Sequence, residues 1–71
     1  MSDLQKYHFE SAGEFAVARE FIRTTVDLLR TPEAIREAVK AVDGRDNFTA
    51  DQKRYAKDFL ESAAQLLSQQ Q

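Results

Sequence analysis

Few residues in this chain are of types that do chemistry, and their spacing limits what each can do. Of 71 residues, one is a histidine, His8, and none is a cysteine. Nucleophilic catalysis needs a nucleophile, a base and an orienting group within hydrogen-bond reach. A single imidazole between the aromatic residues Tyr7 and Phe9 supplies at most one of them. One histidine without thiols also falls short of the roughly four nitrogen or sulfur ligands of a zinc site. Glu33 and Glu37 stand four apart, the separation that puts two carboxylates on one helix face, where they could act as a pair in acid–base work. Glutamate in a first turn also suits the helix dipole, and a solvated face is the reading adopted.

The segment Asp43-Gly44-Arg45-Asp46-Asn47-Phe48-Thr49-Ala50-Asp51 invites comparison with a calcium loop between two helices. Such a loop needs oxygen ligands at alternating positions, glycine at the sixth and a bidentate acid at the twelfth. Counted from Asp43, the third position is Arg45, the sixth Phe48 and the twelfth Arg54, so these acids are expected to make turns and caps. Two glycines in the whole chain exclude a glycine-rich phosphate cradle. No cofactor, metal or catalytic residue is expected, and the chain reads as no enzyme.

Two basic groups remain. At about 100° per residue, Arg19, Arg23 and Arg30 fall within roughly 40° of one another, a ridge about 16 Å long on one helix. Arginines so placed grip carboxylates at an interface rim; the plainer alternative is a solvated face with Glu20–Arg23 and Arg23–Asp27 pairs. Gln52, Lys53, Arg54 and Lys57 resemble the side-chain set that a recognition helix offers a major groove. Asp43, Asp46 and Asp51 stand close by, however, and should repel phosphate.

Helices must position these groups. Ser11 followed by Glu14 is a capping-box signature and opens a helix expected over 12–30. Phe15, Ala18, Ile22, Val26 and Leu29 form its apolar stripe, with Val17, Phe21 and Leu28 on a second one. Thr31-Pro32 stops this helix and opens another over 32–43, with Thr31 as N-cap and Pro32 at the first helical position. Ile35, Ala38, Val39 and Val42 are its inner face, and Gly44 is placed to cap it in the left-handed conformation. Thr49 and Gln52 repeat the capping box ahead of a third helix over 50–68. Ala56, Phe59, Leu60, Ala63, Leu66 and Leu67 face inward there, with Ala56 and Ala63 at the centre. Residues 1–10, including Tyr7 and Phe9, read as an N-terminal arm. The fold expected is thus an all-α three-helix bundle, two long helices and a short middle one, forming one domain over 11–71.

Charged residues make up 31% of the chain with a net charge of −2, so no whole-molecule field draws it to nucleic acid or anionic lipid. No apolar run approaches the roughly 18 residues of a spanning helix. The opening Met-Ser-Asp-Leu-Gln-Lys lacks the basic start and apolar core of a signal peptide, and a cytoplasmic location is the expectation.

A domain of this size hides only roughly 60% of the surface its unfolded chain exposes. The apolar arcs of the two long helices each span roughly 180°, more than one neighbour covers. These features favour a homodimer and, as function, a module that docks on a larger protein as adaptor, inhibitor or regulatory subunit. Its expected contacts are Tyr7, Phe9, Phe15, Arg19, Arg23 and Arg30. The alternative is a DNA-binding regulator using Gln52, Lys53, Arg54 and Lys57.

Overall fold

The computed structural model describes residues 7–70, which form three helices: α1 (Ala12–Leu28), α2 (Pro32–Val42) and α3 (Ala50–Gln69). The protein is a small all-α bundle. Residues 7–11 carry neither helix nor strand and lead into α1 as an arm that bends at Tyr7, Glu10 and Ser11; residues 1–6 of the expected arm and Gln71 lie outside the described residues.

Each helix begins where its side chains can satisfy its orphan amides. Ser11 Oγ accepts from the Glu14 amide at 3.3 Å, but Glu14 does not close the expected box. Its Oε1 accepts instead from the Glu10 amide at 3.0 Å, one residue earlier, so the carboxylate pins the end of the arm to α1. Thr31 Oγ1 accepts from the Ala34 amide at 3.2 Å, with Pro32 in the first turn of α2. At α3 the box is complete: the Gln52 amide donates to Thr49 Oγ1 at 3.1 Å and the Thr49 amide to Gln52 Oε1 at 2.8 Å.

The helix ends depart from expectation. α1 stops at Leu28, because Leu29 turns extended, with φ −104° and ψ 95°. At the end of α2 no glycine takes a positive φ. Asp43 stays right-handed, and the amides of Gly44 and Arg45 donate to Ala41 O at 3.1 Å and Val42 O at 3.0 Å. A tightened last turn thus does the work foreseen for a left-handed Gly44.

α3 is the spine: it packs on both other helices, while α1 and α2 touch only marginally. α2 runs antiparallel to it, as Arg36 meets Glu61 at one end and Asp43 meets Lys57 at the other. α1 runs in the same sense as α3. Its first turn meets Gln52, and its last turn lies beside Leu67.

The main core joins Ile35 and Val42 of α2 to Ala56, Leu60 and Ala64 of α3, with Phe21, Ile22, Val26 and Leu29 of α1 packed against them. The centre of α3 is therefore Ala56, Leu60 and Ala64, not Ala56 and Ala63. Taking Ala56 as zero, Leu60 and Ala64 lie on the side toward α2 at about +40° and +80°. Phe59 and Leu66, expected inward, lie on the opposite side and remain 39% and 59% exposed. Val17 and Leu28 of the second α1 stripe are also exposed, at 53% and 74%. Phe21 between them is covered by Phe48, their rings 5.4 Å apart and edge to face. The Arg45 guanidinium lies 4.7 Å from the Phe21 ring centre and 4.8 Å from that of Phe48, so the loop after α2 seals this side of α1.

A second cluster, Tyr7, Ala18 and Tyr55 with Phe9, Phe15 and Ile22 around it, fixes the arm to the beginnings of α1 and α3. Tyr7 meets Tyr55 edge to face at 5.4 Å, and Phe9 meets both Tyr55 and Phe15 at 5.6 Å.

Candidate docking surface

The arm and the two parallel helices define a cleft. Along α1, Phe15, Ile22 and Val26 form the edge turned toward α3, and Arg19, Arg30 and Arg23 follow about 20° to 60° beyond Val26. Along α3, Tyr55, Phe59 and Leu66 form the facing edge. The Tyr55 and Phe59 rings touch at 4.7 Å, so the buried aromatic cluster passes without a break into the exposed strip. In the half of the cleft near the helix starts, Tyr7 and Phe9 fill the space. In the other half Phe59 and Leu66 remain partly open to solvent. That half ends in an open pocket of about 240 Å³ lined by Val26, Asp27, Arg30 and Leu67.

The arginine edge of α1 flanks this strip with its charge largely unspent. Among the described residues Arg19 has no ion pair. Arg30 donates from Nε only to the Asp27 carbonyl at 3.2 Å. Arg23 approaches Glu20 at 3.9 Å, with both side chains mostly exposed, a pair too long and too wet to hold either in place. The other lysines and arginines among the described residues are occupied. Arg36 pairs with Glu61, Lys40 with Glu37, Arg54 with Asp51 and Lys57 with Asp43; Lys53 donates to the Asp43 carbonyl, and Arg45 is stacked. Burial raises the pKa of the Tyr55 hydroxyl, and the charge of Arg19 partly opposes this.

The six docking residues read from the sequence thus separate into two groups. Tyr7 is buried, Phe9 and Phe15 are half-buried, and all three are spent in seating the arm. Arg19, Arg23 and Arg30 stand exposed in a row. Sequence reasoning missed Phe59 and Leu66 as surface residues; their offset from Leu60 and Ala64 was visible on the helical wheel, but not which side α2 would take.

The alternative nucleic-acid set is not a free row of donors. Gln52 is only 4% exposed, and its Nε2 donates to the Glu14 carbonyl at 2.9 Å while its Oε1 caps α3. Lys53 and Lys57 both reach back to Asp43, at 3.1 Å and 2.8 Å. His8 is exposed beside Glu10, 3.3 Å away, and Glu33 and Glu37 face solvent, the latter toward Lys40.

The chain matches no protein-family model, no curated protein and no solved structure.

Proposed function

We propose that this protein is a small docking module that binds a larger protein through the open half of the cleft between α1 and α3. One observation carries the reading: Phe59 and Leu66 are exposed on one face of α3, and three arginines that lack firm carboxylate partners stand in a row along α1, with Arg30 lining a pocket together with Leu67 of α3. Apolar side chains ringed by arginine are what a protein interface selects. Val17 and Leu28, the other exposed apolar residues, stand about 16 Å apart along α1 with Phe21 covered between them, and make no continuous patch.

The reading is tested by co-purification with the wild-type chain and with Phe59→Ser/Leu66→Ser, both sites being surface ones. A partner retained at one-to-one stoichiometry by the wild type and lost from the double variant is the expected result. A partner retained equally by both would move the docking site elsewhere. The DNA-binding reading has the Gln52 burial and the Asp43 contacts against it. Steeply salt-dependent duplex binding abolished by Lys53→Glu/Lys57→Glu would reinstate it.

A further inference from the structure

Building on that docking site, we infer that its occupant is an amphipathic helix of a partner protein, carrying carboxylates along the flank that meets Arg19, Arg23 and Arg30. The apolar part of the argument is a matter of spacing. Phe59 and Leu66 lie two helical turns apart, about 10 Å, within about 20° of one face, and the pocket beside Val26 and Leu67 opens at the level of Leu66, about 100° round α3 from it. An incoming helix presents apolar side chains at i and i+7 with that same rise, so two can meet the strip, while one at i+3 or i+4 turns to the side on which the pocket opens.

Charge sets the identity of the flank. The arginine row runs about 16 Å, three helical turns, so carboxylates spaced three or four residues apart along a helix of similar length meet it. Two acids of this chain lie near the row. Glu20 is the distant partner of Arg23, and Asp27 lines the pocket, so the mouth of the pocket favours an uncharged side chain while the acids align with Arg19 and Arg23.

A second copy of the chain fits the surface poorly. Beyond the strip, the far flank of α3 carries Ser62, Gln65, Gln69 and Asp58, and Asp58 already accepts from the Tyr7 hydroxyl at 2.5 Å. A two-fold axis parallel to α3 would lay the arginines on amides and a hydroxyl, and an axis across α3 would lay arginine on arginine. Neither supplies the missing carboxylates.

The test uses two synthetic helical peptides of about fourteen residues with leucines at i, i+3 and i+7, one flanked by glutamates and the other by lysines. Binding to the full chain is followed by amide NMR shifts. The glutamate peptide is expected to bind at least tenfold more tightly than the lysine peptide and to shift the amides of Val26, Ala63, Leu66 and Leu67. Arg19→Glu/Arg23→Glu/Arg30→Glu should invert the preference, and that inversion shows the variant is folded and the face intact. Equal binding of both peptides, or shifts confined to Val17 and Leu28, overturns the inference. So does a concentration-dependent dimer whose interface is the Phe59–Leu66 strip. If a co-purified partner is lost with Phe59→Ser/Leu66→Ser yet indifferent to the arginine reversals, the docking face stands and the acidic helix falls. If neither set of changes affects it, the docking site itself is misplaced.

Discussion

Gln52 Nε2 donates to the backbone carbonyl of Glu14 at 2.9 Å, joining the first turn of α3 to the first turn of α1 across 38 positions of sequence. The same side chain accepts from the Thr49 amide, so one buried amide group both starts a helix and holds its neighbour. Gln52→Ala should therefore lower stability by about 2 kcal/mol, the sum of a lost cap and a lost buried hydrogen bond. A urea midpoint unchanged from wild type would show that neither bond matters.

Leu60 and Leu66 differ by less than two turns of one helix and should behave as opposites. Leu60 is fully buried and Leu66 is 59% exposed. Leu60→Ala should cost about 2–5 kcal/mol, while Leu66→Ala should cost well under about 1 kcal/mol. Thermal denaturation of the two variants side by side measures the difference.

The arm is held by Tyr7 as well as by aromatic contacts. Tyr7→Phe keeps the ring and removes the hydroxyl that donates to Asp58, and should lower stability by about 1 kcal/mol. In a double-mutant cycle with Asp58→Asn, a coupling near zero would mean that the bond adds nothing beyond the ring packing.

Both glycines have room for a methyl group. A Cβ on Gly13 would meet Ser11 Oγ at 3.5 Å and one on Gly44 would meet Ala41 O at 3.6 Å, ordinary contacts, and neither residue has a positive φ. Gly13→Ala and Gly44→Ala should each stabilise the fold by about 0.4–1 kcal/mol through the unfolded chain. A loss at position 44 would indicate the left-handed turn suggested by the sequence.

Asp43 is held below its ordinary carboxylate pKa by its hydrogen bond to Lys57 and by that residue's charge. A carboxylate whose pKa falls on folding contributes stability above its unfolded value of 3.8, and the contribution disappears as pH drops through the lower folded value. Acid titration of Lys57→Met should show a shallower loss of stability in that range than the wild type. Solvent around the pair keeps the effect small.

Much of the backbone was legible because caps are local. Thr31-Pro32 and the Thr49–Gln52 box act within four residues, and their hydrogen bonds lie where the sequence puts them. Gly44 was misread because the turn could be closed without a left-handed residue, and composition does not distinguish the two solutions. The site was less legible. Periodicity marked a wide apolar arc on α3, but only packing decides that α2 takes the Leu60 and Ala64 side and leaves Phe59 and Leu66 bare. Tyr7 read as a surface aromatic because its partners, Tyr55 and Asp58, lie some fifty positions away. Phe48 lay in a polar loop, and a lone aromatic there was the one hint that the loop folds back onto Phe21.

The antiparallel course of α2 along the side of α3 remote from the cleft has a practical result. Its outer surface, with Glu37, Lys40 and Ala41, meets neither the seated arm nor the open groove. Since the chain has no thiol of its own, Ala41→Cys would carry a fluorophore at one defined spot, reporting on an arriving guest without obstructing it.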